Sequence, residues 1–243
     1  MSTNLVLAAA AGVSVASTAT LWIRTHRLTS TLARTRTWLQ AARYDAEHDG
    51  LTGLPNRAAF YARAARLLAD APGPLAVLLL DLDGFKQVND SYGHGNGDLV
   101  LHLVARRLAA RVGPADLVAR LGGDEFAVLA HLPAPGAAEQ LGAVLRAAAD
   151  GPLEVDDVHV HGIRFSVGIA PVPAAPQLEL PLGVLLRRAD AAMYRAKQGS
   201  GVAVYDEHRD DHSTPELDVR PLLRTRDLGD SALAHPPRLG VAA

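Results

Sequence analysis

The stretch RLGGDEFAVL, Arg120 to Leu129, places two glycines and two carboxylates between two short apolar runs. With its neighbours it reads LVARLGGDEFAVLA, which predicts two short strands joined by a tight turn at the glycine pair. A hairpin needs no acidic residues at its tip, so Asp124 and Glu125 require a second explanation. The same ten residues therefore indicate the local fold and raise a question of function.

Strand-like and helix-like segments alternate on both sides of this hairpin. Before it, PLAVLLLDLD predicts a buried strand and DLVLHLVARRLAARV has the apolar spacing of a helix. After it, AAEQLGAVLRAAAD predicts a helix, VHVHGIRFSVGIAPV a strand pair, PLGVLLRRADAAMYRAKQ a helix and VAVYD a last strand. We therefore expect an α/β (α+β) fold with a central, mostly antiparallel sheet flanked by helices.

Composition narrows the classes of protein and of metal site. A chain of 243 residues with 49% hydrophobic content can form one domain of ordinary size plus extensions. The net charge of -2 disfavours a nucleic-acid partner, because such proteins usually carry a basic face. The chain has no cysteine, so any metal must be bound by oxygen or imidazole, and a hard cation fits better than zinc.

The first 23 residues form a separate segment. Residues 5–23 contain no charge and are followed at once by a cluster of arginines, Arg24, Arg27, Arg34 and Arg36. As a helix this run would reach ~28 Å, close to the ~30 Å hydrocarbon core of a membrane. A cleaved signal peptide and an alanine-rich soluble helix are the alternatives, but no basic residue precedes the run. We expect a single span of the cytoplasmic (inner) membrane, with the rest of the chain in the cytoplasm.

Two further segments flank the predicted domain at residues 49–206. Residues 24–48 place Leu28, Leu32, Leu39 and Ala42 at helical spacing, which predicts an amphipathic helix. This helix is either a parallel dimer stalk or a solvated linker. Residues 207–243 mix charges and prolines without periodicity, which is typical of a disordered tail. The 48 residues before the domain contain no recognisable sensor, so the input signal is not predicted.

Two carboxylates are expected at strand ends. Asp81 follows the apolar run Leu75–Leu80, and Asp124 lies at the hairpin tip. If the two strands are neighbours, both carboxylates meet at one edge, a common arrangement for binding Mg²⁺ against substrate phosphates. Taken singly, Asp81 and Asp83 could cap a helix and Asp124 could be a polar turn residue. The turn Gly84–Lys86 then opens a helix, where free amides and a lysine favour an anion. Carboxylates that could bind Mg²⁺, placed beside a site for an anion, suggest that the ligand is a nucleotide.

Five segments carry a family pattern in order: DGLTGLPNR (Asp49–Arg57), DLDGFKQVND (Asp81–Asp90), YGHGNGD (Tyr92–Asp98), RLGGDEF (Arg120–Phe126), and SVGIA with ADAAMYRAK (Ser166–Lys197). In this order and spacing they resemble the GGDEF family of diguanylate cyclases. The resemblance implies a nucleotidyl cyclase, polymerase-palm-like fold. It also implies an enzyme that condenses two GTP, one on each protomer of a homodimer, into cyclic di-GMP and two pyrophosphates.

The resemblance further implies the site residues. Mg²⁺ (or Mn²⁺) would be bound by Asp81, Asp124 and the Leu82 carbonyl, and Glu125 would assist activation of the attacking 3′-hydroxyl. The phosphates would be bound around Phe85 and Lys86 and by Lys197. Asn89 and Asp98 would select guanine, because a carboxylate accepts hydrogen bonds from N1 and N2 that adenine cannot donate. Read without the resemblance, Asp98 is a helix N-cap, Asn89 a turn residue and each lysine a surface residue.

Other residues are expected to be structural. Asp49, Asn56 and Arg57 resemble the turn that joins the preceding helix to the domain. Asp190 is expected in a buried ion pair or cap, Met193 and Tyr194 in the core, and His94 in packing or hydrogen bonding and not on a metal.

Two departures from the family pattern bear on regulation and affinity. An inhibitory product site spaced RxxD would need an arginine at position 113, where this chain has Gly113, although Asp116 is present. After Lys197 the chain reads QGSGV, without the arginine the family often has there. The alternatives to an active cyclase are a weak or inactive domain that binds GTP or a protein partner, and a nucleotidyl cyclase of other specificity.

Overall fold

The computed structural model describes residues 2–70, 73–134, 136–155, 158–173 and 180–210; for residues 2–21 and Ile23 only the backbone is described. The helices are α1 (Ser2–Glu47), α2 (Arg57–Asp70), α3 (Phe85–Ala109), α4 (Ala138–Arg146), α5 (Leu182–Lys197) and α6 (Glu207–Asp210). The strands are β1 (Leu75–Asp83), β2 (Leu117–Gly122), β3 (Glu125–His131), β4 (Leu153–Val155), β5 (Val158–Val160), β6 (Arg164–Pro171) and β7 (Val202–Val204).

Five strands form the central sheet in the order β2-β3-β1-β6-β7. Every neighbouring pair is antiparallel except β6 and β7, so the expected mostly antiparallel α+β sheet is confirmed. The two strands predicted in VHVHGIRFSVGIAPV are present as β5 and β6. They do not pair with each other, because β5 pairs with β4 in a separate two-stranded sheet and β6 joins the central one. Strand β4 was not predicted, because its three residues are too few to show a period.

Strand β1 lies at the centre of the sheet and is covered on both faces. Its even-numbered side chains, such as Leu78 and Leu80, pack in one cluster with α3 and α4. Its odd-numbered side chains, such as Leu75 and Val77, pack in a second cluster with α2 and α5. This alternation follows from the two-residue period of a strand, and burial on both faces explains why the run is continuously apolar.

Helix α5 packs very closely on β6. A Cβ on Gly168 would overlap the backbone of Ala189 and Met193, so only glycine permits this approach. Met193 faces the sheet and is 8% exposed, which confirms its place in the core. The same prediction for Tyr194 is wrong, since this next residue is turned by ~100° around the helix and is 61% exposed.

Helix α1 confirms that residues 24–47 are helical, and its apolar side chains Leu28, Leu32 and Leu39 are exposed. Within the described part of the chain, no helix is long and apolar enough to cross a membrane. Apart from Trp22, the side chains of the predicted span at residues 5–23 lie outside the described residues. The membrane span therefore stays a prediction.

The predicted tail begins with folded residues. Asp210 on α6 is 1% exposed and forms an ion pair with Arg195 at 3.0 Å. It also accepts a hydrogen bond from the Asp206 amide at 2.8 Å, which closes the short helix. The prediction of disorder from residue 207 is wrong for Glu207–Asp210, because these residues form α6 and the buried Asp210 pairs with the half-buried Arg195. Residues 211–243 lie outside the described part.

Candidate functional site

The two predicted carboxylates meet at one edge of the sheet. Strands β1 and β3 are antiparallel neighbours with Asp81 opposite Glu125, and the Leu82 amide donates to the Asp124 carbonyl at 3.3 Å. Burial raises the pKa of Asp124, and the negative charge of Asp81 raises it further. Two acids that disfavour each other's charge are stabilised by a cation between them.

The hairpin tip between β2 and β3 is fastened by one arginine. Gly122 and Gly123 have positive φ angles of 144° and 56°, which glycine adopts without strain. Arg120 donates from Nε and Nη2 to the Gly123 carbonyl at 2.9 and 2.7 Å. Its Nη1 donates to both carboxylate oxygens of Asp49 at 3.0 and 3.1 Å. The tip is thereby tied to the turn that follows α1.

Asp49 therefore has the structural role that was expected. Burial alone would raise the pKa of Asp49, but hydrogen bonds from Thr52 and Arg120 outweigh burial and lower it. Asn56 completes the same turn, because its side-chain amide donates to the Ala46 carbonyl at 2.8 Å. Its Oδ1 accepts from the Ala59 amide at 3.0 Å and so caps α2.

Arg57 has a second role that the sequence did not indicate. Its Nη2 lies 3.7 Å from Glu125 Oε2, and its Nε donates to the Leu121 carbonyl at 3.1 Å. Burial raises the pKa of Glu125; Arg57 opposes that shift, while the charge of Asp81 adds to it. Because Arg57 lies more than sixty residues before the hairpin, its contact there depends on the sheet order and could not be read locally.

Lys197, the last residue of α5, reaches the carboxylates from a third element. Its Nζ lies 2.6 Å from Asp81 Oδ2. Burial would lower the pKa of Lys197, but the hydrogen bond to Asp81 and the surrounding acids raise it, so the ammonium carries its charge. The structure thus brings Asp81, Asp124, Glu125 and Lys197 together, although 43 residues separate the two aspartates along the chain.

Asp190 is not in the predicted buried ion pair or cap. Among the described residues it makes no salt bridge and no side-chain hydrogen bond, and Lys197 and Asp81 act on it only through their charges. Burial raises its pKa; nearby Lys197 opposes the shift and Asp81 adds to it. His94 is exposed, and the structure assigns it no hydrogen bond within the described part.

The predicted base-reading residues lie on α3, which bends at Gly93 with φ 80° and ψ 162°. Asn89 precedes the bend and is half-buried, while Asp98 follows it and is exposed. Both positions are inside the helix, so neither the turn reading of Asn89 nor the N-cap reading of Asp98 holds. Within the described residues neither side chain forms a hydrogen bond, which leaves both available to a ligand.

The remaining predicted residues surround the start of α3. Leu82 is 2% exposed on β1, and Phe85 packs partly buried against the main core cluster. Lys86 is exposed in the first turn of α3, with no ion pair to any described residue. Their predicted roles toward metal and phosphate stay predictions.

A divalent cation fits the donor set at the sheet edge. Mg²⁺ is commonly bound by one or two carboxylates, with substrate phosphates and waters completing the octahedron. Asp81 and Asp124 supply such a pair, and the ammonium of Lys197 already pairs with Asp81. Among the described residues, no group of three or more His, Cys, Asp or Glu side chains could enclose a metal. Asp81 and Asp124 are thus the two carboxylates that could hold such an ion.

Asp116 is the one residue of the expected inhibitory RxxD pair that this chain has, and both of its carboxylate oxygens accept hydrogen bonds from the chain. Its Oδ2 accepts from the Gly113 amide at 2.8 Å. Its Oδ1 accepts from the His131 amide at 2.9 Å and lies 3.0 Å from His131 Nδ1. Both oxygens are thus used in a structural turn, and Gly113 supplies no cation beside them.

Comparison with known proteins places residues 46–201 in a family described as diguanylate cyclase, GGDEF domain. Diguanylate cyclase TpbB of Pseudomonas aeruginosa is 38% identical over 200 residues, which cover 80% of this chain and 43% of TpbB. The bifunctional diguanylate cyclase/cyclic di-GMP phosphodiesterase MucR of the same species is 39% identical over 84% of this chain and 30% of its own. The chain thus spans less than half the length of these relatives.

Solved structures agree with the sequence relatives. The GGDEF domain of TpbB from Pseudomonas aeruginosa superposes with a TM-score of 0.61 and 38% identity, covering 68% of this chain and 98% of that one. The coiled coil and GGDEF domain of DgcB from Caulobacter crescentus, solved in complex with c-di-GMP, gives a TM-score of 0.68 and 31% identity. It covers 76% of this chain and 98% of its own.

Proposed function

The chain belongs to the GGDEF domain family, and on that premise we propose that it is a diguanylate cyclase. It would condense two GTP into cyclic di-GMP and release two pyrophosphates. The observation that carries the proposal is the meeting of Asp81 and Asp124 at adjacent strand ends, with Lys197 at 2.6 Å from Asp81. The relatives TpbB and MucR are named as diguanylate cyclases, which supports the same reaction.

The residues suit phosphoryl transfer to a ribose hydroxyl. A divalent cation, when bound, would neutralise phosphate oxygens and favour in-line displacement. Glu125 would accept the proton of the 3′-hydroxyl as its oxygen bonds to the α-phosphorus and the bond to pyrophosphate breaks. A raised pKa makes Glu125 a better base than an ordinary glutamate. Lys197, charged beside Asp81, would bind a phosphate, and Lys86 would bind the γ-phosphate.

The product requires two protomers, because each site would bind one GTP and the two must be joined symmetrically. Helix α1 supports pairing, since Leu28, Leu32 and Leu39 are exposed on it and would be covered in a parallel coiled coil. We include in the proposal that residues 5–23 cross the cytoplasmic membrane and that the domain lies in the cytoplasm. Confinement to a plane would then raise the effective concentration of sites.

The direct test incubates the purified full chain with GTP and Mg²⁺ and separates the products by chromatography. We expect cyclic di-GMP and pyrophosphate in a one-to-two ratio, no product with EDTA, and little reaction with ATP. Replacing both Asn89 and Asp98 by Ala should reduce the preference for GTP over ATP. Absence of cyclic di-GMP while a non-hydrolysable GTP analogue still binds would favour a non-catalytic GTP-binding domain.

The alternative of a catalytically weak domain has one specific observation behind it, because a missing phosphate contact weakens GTP binding. The segment after Lys197 lacks an arginine, and a Cβ on Gly201 would overlap the guanidinium of Arg146. The backbone of Gly201 also has a φ of 78°, which favours glycine. A phosphate-binding side chain at this position is therefore absent and could not simply be restored.

Dimer dependence has its own test. Removing Met1 to Asp45 should lower specific activity at dilute protein, and a strong parallel coiled coil fused in its place should restore it. Constant specific activity of the truncated chain over a wide dilution series would overturn the stalk role of α1.

A further inference from the structure

Gly97 lies on α3, directly before Asp98 and in contact with Asn89, the two residues predicted to bind the guanine base. Asn89 is in the half before the bend at Gly93, and Gly97 is in the half after it, next to Asp98. Gly97 is buried, and a Cβ added to it would overlap Asn89 Oδ1. The same Cβ would lie 3.1 Å from Asn89 Cγ and 3.4 Å from Phe85 Cζ. The Asn89 amide therefore rests on the bare backbone of Gly97.

We propose that Gly97 is a positioning residue for nucleobase recognition: its lack of a side chain seats the Asn89 amide against α3 beside Asp98. The inference rests on the proposed guanine site, which Asn89 and Asp98 would form. It adds a specificity-determining position that contributes no atom of its own to hydrogen bonding.

Backbone conformation does not explain a glycine at this position. Gly93 has a positive φ that favours glycine, but Gly97 is helical, and glycine is less favourable than alanine inside a helix. At Gly95, also helical and two residues earlier, an added Cβ would meet no atom within 4 Å. The space at Gly97 is filled by Asn89, so room for that amide is what the glycine provides.

If position 97 carried a side chain, the Asn89 side chain would move to make room for it and the backbone would stay in place. The overlapping atom, Oδ1, is the far end of a side chain that can rotate. The Asn89 amide forms no hydrogen bond to any described residue that would resist such a rotation. Gly97→Ala should therefore leave the helix intact and move the amide away from its place against Gly97.

The test compares Gly97→Ala with the matched control Gly95→Ala in the full chain. Affinities for non-hydrolysable GTP and ATP analogues, KM and kcat for GTP, and the thermal midpoint are measured for each. We expect Gly97→Ala to lose about tenfold in preference for the GTP analogue, as for one lost hydrogen bond to the base. The loss should appear in KM more than in kcat, with an unchanged midpoint, and Gly95→Ala should match wild type.

A second pair of variants identifies the cause. In an Asn89→Ala background, adding Gly97→Ala should change the preference by less than about twofold, because the amide that it displaces is already gone. A tenfold loss that persists in this background would overturn the proposal, as would an unchanged preference in Gly97→Ala. An early-melting Gly97→Ala chain would also overturn it, since Asn89 would then not move freely.

These results are independent of turnover. If the wild-type chain makes no cyclic di-GMP but binds the GTP analogue selectively, the cyclase proposal fails while the role of Gly97 is still decided by analogue binding. If the wild-type chain shows no preference between the two analogues, the guanine site and the role of Gly97 fail together.

Discussion

Two turns at opposite ends of β2 contain a glycine and an aspartate but use the aspartate in opposite ways. Before the strand, both oxygens of Asp116 accept hydrogen bonds from the chain, from the Gly113 and His131 amides. After the strand, Asp124 is partly buried beside Asp81, and both burial and that charge raise its pKa. A carboxylate whose hydrogen bonds are satisfied stabilises a turn, whereas one that is desolvated beside a like charge is prepared for a cation.

The largest expected effect comes from Asp124→Asn. The variant removes a charged ligand at the hairpin tip, and we expect cyclic di-GMP formation to fall by about a thousandfold or more. The free energy of unfolding should stay equal or rise, because a raised pKa means that the ionised carboxylate destabilises the fold at neutral pH. Activity by chromatography and unfolding by circular dichroism are measured together. Retained turnover would contradict the metal role.

Asp116→Ala should show the reverse pattern. It leaves the Gly113 and His131 amides without their acceptor, so we expect a loss of about 1–3 kcal/mol in unfolding free energy. Specific activity of the folded fraction should be close to that of wild type. Urea unfolding and the cyclase assay check both parts, and a variant that is as stable as wild type but inactive would reverse the comparison.

Asp49→Asn tests how much the ion pair between Asp49 and Arg120, which holds the hairpin tip, contributes to stability. Asp49 has a lowered pKa, so its carboxylate stabilises the fold above its unfolded pKa and loses that contribution as pH falls through the folded value. We expect the variant to be about 1 kcal/mol less stable at pH 7, with the difference closing below about pH 4. Thermal unfolding across pH measures this. A difference that is constant with pH would show that the charge on Asp49 is not what matters.

The smallest expected effect concerns added product. Both oxygens of Asp116 already accept hydrogen bonds from the chain, and Gly113 has no cationic side chain to bind product. Cyclic di-GMP should therefore inhibit only by competing with GTP. Initial rates over a matrix of GTP and product concentrations should give an unchanged maximal rate. Non-competitive inhibition would mean that product binds at a second place.

The sequence predicted most of the elements and the meeting of the acids, because β1, α3 and the hairpin have strong periodicity. Asp81 lies near the end of β1, and Asp124 directly precedes the neighbouring strand β3. It could not predict that β5 pairs with β4, since strands of three residues carry almost no pattern. It also missed Arg57 beside Glu125, because that contact joins elements far apart in the chain, and Asp210 beside Arg195, because a four-residue helix shows no period. The contact of Gly97 with Asn89 could not be predicted either, because it depends on the bend in α3 at Gly93.

Binding of Mn²⁺ tests the comparison of the two turns most directly. Electron paramagnetic resonance of Mn²⁺ can be recorded with a non-hydrolysable GTP analogue and the full chain as wild type, Asp124→Asn and Asp116→Asn. We expect wild type and Asp116→Asn to bind the ion equally and Asp124→Asn to bind it at least about tenfold more weakly. Equal binding by Asp124→Asn and wild type would contradict the assignment of the hairpin tip as the metal site.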